Sequence, residues 1–122
     1  MTTVLLVEDE ADVRDIIVEA FAEHDLQVVC AENDQRAYDM LEARAQEFAV
    51  LVADINLGPG TTGFDVARRA RQLNRNLKVI YITGHAAHLN RFGVDGAVMF
   101  PKPFNPHELA ESVISILKTA DA

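Results

Sequence analysis

The stretch AVLVAD, residues 49–54, consists of five apolar residues that end in one aspartate. Three other apolar runs end in polar residues in the same way, VLLV before Glu8-Asp9, VIYI before Thr83-Gly84 and AVMFP before Lys102-Pro103. Short apolar runs that alternate with amphipathic helices are typical of parallel strands buried on both faces. In an open α/β sheet, ligands bind beyond the carboxyl ends of such strands. The sequence therefore predicts that these polar residues meet at one edge of a sheet.

The stretches between the apolar runs carry the residue spacing of amphipathic helices. The first helix is predicted over Asp12 to Asp25, with inward positions at Val13, Ile16, Ile17, Ala20 and Phe21. A second helix is predicted to begin after an N-cap at Asn33, and a third to span about Gly63 to Leu73. Strands and helices therefore alternate along the chain, which predicts an α/β fold of the (βα)5 type.

Two helical segments in the last third of the chain differ in how clearly the sequence predicts them. Asn105 followed by Pro106 is a typical helix start, and the apolar stripe behind it is Leu109, Val113, Ile116 and Leu117. The segment His85 to Val94 is short of apolar residues, and Gly93 and Gly96 interrupt it. We expect about two turns of helix there at most, with low local stability.

Length and composition describe one ordinary domain. The chain has 122 residues, a hydrophobic share of 49% and a formal net charge of −8. Its longest apolar stretch, residues 48–53, is far too short to cross a membrane, and its acidic start is not that of a secretory signal. The negative charge argues against direct binding to nucleic acid, which depends on neutralising phosphates. We expect a single cytoplasmic domain over residues 1–122, without an output domain and without a nucleic-acid or membrane partner.

The polar residues at the predicted sheet edge have complementary chemistry. The carboxylates of Glu8, Asp9 and Asp54 would repel one another by roughly 4 kcal/mol per close pair at an effective dielectric of 20. A fold keeps such a cluster when a cation binds in it, and oxygen ligands with several waters suit Mg²⁺. An aspartate accepts a phosphoryl group when the charge of that group is neutralised. Lys102 and the Thr83 hydroxyl are placed to assist, so the residues predict a site for a phosphoryl group and a divalent cation.

Two other interpretations of the same residues stay open. Lys102 could simply neutralise surplus buried carboxylate as the salt-bridge partner of Asp54, although Thr83 and the acidic pair are then unexplained. A phosphatase with an aspartyl nucleophile is the enzymatic alternative. Such sites commonly carry a second carboxylate two residues after the nucleophile, where this chain has Asn56. We therefore expect no enzyme activity beyond the chain's own phosphorylation and dephosphorylation.

The histidines do not predict a metal site. The four of them, His24, His85, His88 and His107, are scattered along the chain. His85 and His88 are three residues apart, but no third ligand accompanies them in the sequence.

The ordered set Glu8-Asp9, Asp54, Thr83 and Lys102-Pro103 resembles the receiver domain of bacterial two-component response regulators. The resemblance covers the chain from Val4 to about Leu117. It implies the flavodoxin-like arrangement, a five-stranded parallel sheet in the order 2-1-3-4-5 with helices on both faces.

The resemblance also implies a role for each site residue. Asp54 would be the phosphoacceptor, and Thr83 and Lys102 would assist the transfer. Mg²⁺ would be held by Asp9 and Asp54, by Glu8 directly or through water, and by the backbone carbonyl of Asn56.

Two departures from the family's pattern concern its usual output surface. The interval between Thr83 and Lys102 is about one helical turn shorter than in typical receivers, which shortens the fourth helix. Met99 stands where the family tends to carry Tyr or Phe, and Phe100 is expected on the opposite face of the sheet.

The resemblance implies protein partners, namely a histidine kinase, a histidine phosphotransfer protein or both. Two roles stay open: a signalling switch whose phosphorylated state binds a target, and a phosphoryl sink or shuttle without its own output. The stretches ITGH (82–85) and PKPF (101–104) also resemble receivers attached to hybrid histidine kinases, so a free-standing and a kinase-attached receiver are both open. We expect a monomer or a weak dimer.

Overall fold

The computed structural model describes residues 2–55, 62–84 and 93–120. Within these ranges the chain forms five parallel strands, four α-helices and one short 3₁₀ helix. The elements are β1 (Thr2–Val7), α1 (Ala11–Glu23), β2 (Leu26–Ala31), α2 (Asp34–Arg44), the 3₁₀ turn (Ala45–Glu47), β3 (Val50–Asp54), α3 (Gly63–Leu73), β4 (Lys78–Thr83), β5 (Val98–Pro101) and α4 (Pro106–Ala120). The sheet order is β2-β1-β3-β4-β5, which confirms the predicted topology.

The register of the sheet brings the ends of β1, β3 and β4 together. Val7 pairs with Ala53, and Asp54 pairs with Ile82 in the next strand. All five residues of β3 are buried, as the unbroken apolar run predicts for the central strand. The residues that follow β1, end β3 and end β4 therefore lie at one edge of the sheet.

Two hydrophobic clusters lie on opposite faces of the sheet. Alternate residues of each strand point to opposite faces. Leu5 and Val7 belong to the cluster that includes α2 and α3, while Val4 and Leu6 belong to the cluster that includes α1 and α4. In β5, Met99 packs against the first cluster and Phe100 against the second, as the sequence predicts.

The first helix departs from its prediction at both ends and on one face. It spans Ala11–Glu23, and the chain leaves it through Asp25, which has a left-handed φ of 61°. Ile16 was predicted to face inward, and this is wrong because its exposed fraction is 54%. The buried side of the helix carries Ile17, Ala20 and Phe21. Ile16, the residue before Ile17, lies at the edge of that side.

The other helix starts agree with their sequence signals. The Asn33 side chain accepts a hydrogen bond from the backbone N–H of Arg36 at 2.8 Å. The Asn105 side chain accepts one from the backbone N–H of His107, also at 2.8 Å. Apart from Gly93 and Val94, the short fourth helix predicted between β4 and β5 lies outside the described residues. Among the helices that the structure describes, none has the length and hydropathy of a membrane span.

Asn74 joins the end of α3 to the entry of β3. Its side chain is buried, and Nδ2 donates to the backbone oxygens of Ala45 and Phe48, both at 3.1 Å. Its Oδ1 accepts from the backbone N–H of Asn76 at 3.1 Å. One amide thus satisfies three backbone groups from two separate loops.

We expect Asn74→Ala to lower the free energy of unfolding by about 2 kcal/mol, because the buried hydrogen bonds of this amide to the backbone are lost. The matched control is Asn76→Ala, since Asn76 is exposed and contributes only its backbone to this contact. The control should change stability by less than about 0.5 kcal/mol. Urea denaturation followed by circular dichroism measures both. Equal effects of the two substitutions would contradict the role assigned to the Asn74 amide.

Candidate functional site

Glu8 is buried directly after the end of β1. Its backbone N–H donates to Ala31 O at 3.1 Å, and Arg14 Nη1 donates to Glu8 O at 2.8 Å. The side chain has no exposed surface, and Oε2 accepts a hydrogen bond from the N–H of Glu10 at 3.3 Å. Among the described residues, Glu8 Oε1 has no hydrogen-bond partner. Backbone contacts on both sides therefore hold a carboxylate oxygen in a position where the described protein does not satisfy it.

Asp54 is the last residue of β3, and its side chain is almost fully buried. Lys102 Nζ lies 2.6 Å from Asp54 Oδ2 and forms both a salt bridge and a hydrogen bond with it. Lys102 follows β5, so this contact joins the central strand to the edge strand β5.

Gly63, the first residue of α3, packs against the backbone of Asp54. Its N–H donates to Ile55 O at 3.0 Å, and a Cβ at position 63 would lie 2.5 Å from Asp54 O. A side chain there would displace the strand end that carries Asp54, because real Cβ atoms do not approach a backbone oxygen so closely. The sequence predicts Gly63 as a helix start and carries no signal for this contact.

Thr83 ends β4, and its side chain is buried. Its backbone oxygen accepts a hydrogen bond from the N–H of Lys102 at 2.8 Å, which fixes the two residues relative to each other. A Cβ built on Gly84 would meet no heavy atom of the described residues within 4 Å. Among the described residues, nothing fills the space beside Thr83 that a side chain at position 84 would enter.

Three carboxylates converge at this edge of the sheet. One oxygen each from Glu8, Asp9 and Asp54 lies within 4.8 Å of the other two. Burial raises the pKa of Glu8 to about 7, and the neighbouring carboxyl groups of Asp9 and Asp54 act in the same direction. Burial alone would lower the pKa of Lys102, but the hydrogen bond and charge of Asp54 raise it above its usual value.

These residues fit a small hard cation. All the donors are oxygens, and they lie close enough to share one ion. Asp9 is exposed, so water can complete the coordination shell. The unsatisfied Glu8 Oε1 is the observation that distinguishes this cluster from an ordinary surface group of acids. The backbone carbonyl of Asn56, predicted as a further ligand, lies outside the described residues.

The structure thus brings together Glu8, Asp9, Asp54 and Lys102, and it ties Thr83 to them through the backbone of Lys102. The Lys102–Asp54 ion pair expected from the purely structural interpretation is present. That interpretation leaves two features without an explanation, the unsatisfied Glu8 oxygen and the convergence of a third carboxylate.

Sequence comparisons agree with this geometry. A family model described as "Response regulator receiver domain" matches residues 4–114. The response regulator receiver protein CpdR of Brucella abortus (strain 2308) is 32% identical over 123 residues, covering 98% of this chain and 100% of CpdR.

Solved structures show the same fold. A response regulator receiver protein from Sinorhizobium medicae WSM419 has a TM-score of 0.90 and 29% identity, covering 98% of this chain and 96% of that one. The response regulator TrrA from Thermotoga maritima, crystallised in complex with Mg²⁺-BeF, has a TM-score of 0.79 and 26% identity, covering 95% and 99%. The family model and the curated relative both span nearly the whole chain. This protein therefore belongs to the response regulator receiver domains of two-component systems.

Proposed function

We propose that this chain accepts a phosphoryl group on Asp54 in a Mg²⁺-dependent reaction and relays it, or its effect, to protein partners. The observation that carries the proposal is the geometry around Asp54. Among the described residues, Lys102 Nζ lies 2.6 Å from its buried carboxylate, and the carboxylates of Glu8 and Asp9 lie beside it. Such a site carries surplus negative charge, which a divalent cation would offset so that the anionic phosphoryl group can approach Asp54.

Each site residue has its own role in the phosphoryl transfer. An oxygen of Asp54 attacks the phosphorus of a phosphohistidine, and the P–O bond forms as the P–N bond breaks. The electron pair of that bond returns to the donor's imidazole nitrogen. Lys102 moves from the Asp54 oxygen towards a phosphoryl oxygen, and the Thr83 hydroxyl donates to another.

The acidic cluster would hold the metal ion through Glu8, Asp9 and Asp54, with the Asn56 carbonyl as a further ligand. When bound, Mg²⁺ neutralises part of the charge on the transferring phosphoryl group. Receiver domains bind Mg²⁺ at an acidic pocket, and the Mg²⁺-BeF complex of TrrA supports the same ion here. The oxygen-only donor set of this chain agrees with that choice.

A docking surface for the phosphodonor lies beside the acidic cluster. A groove of about 230 Å³ is lined by Val13, Ile16, Ile17, Phe104 and Pro106. One wall belongs to α1, the element after Glu8-Asp9. The other wall begins at Phe104, directly after Lys102-Pro103, so both walls start near site residues along the chain. Its apolar lining and the exposed Ile16 suit the apolar side of a histidine-bearing helix from a kinase or phosphotransfer protein.

A switch and a phosphoryl sink or shuttle would use the same acceptor and the same groove. They differ in whether a target binds the phosphorylated state. Phosphotransfer profiling against the host's cytoplasmic histidine kinases and phosphotransfer proteins, with the direction and rate of return transfer measured, separates the two. Rapid return transfer to a phosphotransfer protein marks a shuttle. A stable phosphorylated form that binds a target marks a switch.

Acetyl phosphate with Mg²⁺ should add one phosphoryl group to the wild-type protein, measured by intact mass. Asp54→Asn should abolish the addition because the nucleophilic oxygen is lost, and chelation of the metal should do the same. Asp39→Asn is the matched control, since Asp39 lies in α2 away from the site. Its phosphorylation should equal that of the wild type. Modification that persists in Asp54→Asn and maps outside the acidic cluster would refute the assignment.

In the metal-free protein, the contribution of Glu8 to stability should decrease as pH rises. The folded-state pKa of Glu8, about 7, exceeds its ordinary value of 4.5, so folding favours the protonated form. The stabilisation by protonated Glu8 is fully present below pH 4.5 and is lost as pH rises to about 7. The free energy of unfolding then falls by up to roughly 3 kcal/mol. Glu8→Gln should flatten that part of the profile and raise the melting temperature at pH 8. Glu10→Gln, at an exposed position, should leave the profile unchanged.

Mg²⁺ should restore the stability that is lost at high pH, because it binds the ionised carboxylates. A hundredfold excess over Kd stabilises the native state by about 2.7 kcal/mol. The melting temperature of the wild type at pH 8 should therefore rise with millimolar Mg²⁺, and Asp9→Ala should remove most of the increase. An unchanged wild-type melting temperature at tens of millimolar Mg²⁺ would count against the metal site.

Ile16→Ser should slow phosphotransfer from a cognate histidine kinase about tenfold, because the partner helix loses an apolar contact at the groove. Labelling by acetyl phosphate, which needs no docking surface, should stay at the wild-type rate. Val98→Ser is the matched control because Val98 is an exposed apolar residue on β5, outside the groove. An equal loss in both variants, or none in Ile16→Ser, would place the docking surface elsewhere.

A further inference from the structure

Two histidines that are distant in sequence meet at the junction of α1 and α4. His24 is the C-cap of α1, and His107 is the second residue of α4. The two helices pack on the same face of the sheet, which brings His24 Nε2 to within 3.4 Å of His107 Nδ1. The ring centroids are 5.6 Å apart and the rings are tilted by 53°. Two imidazole nitrogens therefore face each other across the helix junction.

The spacing of these nitrogens suits two ligands of one metal ion. Zn²⁺ binds histidine nitrogen at about 2.0–2.1 Å with tetrahedral angles, which places two such nitrogens about 3.3–3.4 Å apart. Without an ion, one ring N–H can donate to the nitrogen of the other ring. The observed 3.4 Å is that of a direct contact, and this contact holds the two nitrogens at the spacing that one shared ion needs.

The second nitrogen of His107 has the partner that metal-binding histidines commonly have. Glu23 Oε2 lies 3.4 Å from His107 Nε2. A carboxylate on the remote nitrogen fixes the tautomer and turns the other nitrogen towards the ion. His107 and Glu23 both have partly exposed side chains, so water can supply the remaining ligands.

We propose that His24 and His107 form a binding site for a borderline transition-metal ion of the Zn²⁺ class, with Glu23 as the carboxylate that orients His107. Imidazole nitrogen is a ligand of Zn²⁺, Ni²⁺ and Cu²⁺, whereas Mg²⁺ prefers oxygen. The site is therefore chemically distinct from the acidic cluster of Glu8, Asp9 and Asp54. A bound ion would join the end of α1 to the start of α4.

Zinc binding to the full chain tests the proposal, measured by competition with a chromogenic chelator in excess Mg²⁺, which occupies the acidic cluster. The wild type should bind one Zn²⁺, and Co²⁺ in its place should give visible absorption bands of a nitrogen-ligated site. His24→Ala and His107→Ala should each weaken Zn²⁺ binding by more than about tenfold. The double variant should be little weaker than either single one, because one histidine alone cannot chelate. Glu23→Ala should weaken binding about tenfold.

The matched control is the double substitution His85→Gln and His88→Gln, which removes the other two histidines of the chain. It should bind Zn²⁺ as the wild type does. Unchanged affinity in the double variant His24→Ala/His107→Ala would overturn the proposal, and so would an equal loss in the control. Circular dichroism and acetyl phosphate labelling show that each variant is folded, since neither depends on these histidines.

Discussion

In the part of the chain that the structure describes, three carboxylates lie beside the ammonium group of Lys102 at the carboxyl edge of the sheet, and the arrangement of the surrounding residues follows from that imbalance of charge. Glu8 and Asp54 are buried, so water screens their repulsion poorly. Lys102 offsets one charge through its contact with Asp54. Burial, together with the neighbouring charge of Asp54, raises the pKa of Glu8, and a divalent cation would stabilise the ionised cluster. The apolar strands that carry these groups supply the stability that such a cluster removes.

The parallel sheet is what makes this concentration of charge achievable. Every strand ends at the same edge, so residues separated by dozens of positions in sequence become neighbours. The contact between Asp54 and Lys102 spans 48 positions in the sequence. The backbone bond from Lys102 to Thr83 then aligns the end of β5 with that of β4. Backbone hydrogen bonds thus position the strand ends that carry the acidic cluster, and the side chains of Arg14 and Lys102 add contacts to Glu8 and Asp54.

Much of this could be predicted from sequence because the informative residues lie at strand ends. Asp54, Thr83 and Lys102 each terminate or directly follow an apolar run, so a parallel sheet alone predicts that they meet. The order of the strands came from the family resemblance, since apolar periodicity does not distinguish one strand order from another.

The features that escaped prediction depend on packing between distant elements. Ile16 fits the apolar spacing of its helix, yet its exposure is decided by how α1 sits against α4. The pairing of His24 with His107 likewise depends on where two helices pack, 83 positions apart in sequence. In the sequence, Gly63 resembles an ordinary helix start. The close approach of the Asp54 backbone oxygen explains why a side chain is excluded there.

The contact between Gly63 and the end of β3 also has a consequence for how the chain tolerates changes in length. The N–H of Gly63 bonds to Ile55 O, so both ends of the connection over 56–61 are anchored by described residues. Closing a longer connection between fixed ends costs only about 0.6 kcal/mol for each doubling of its length. Residues inserted after Asn56 would therefore leave Asp54 and the first turn of α3 in place. This connection is where a reporter peptide or an additional recognition segment could be added next to the phosphorylation site without rebuilding the sheet.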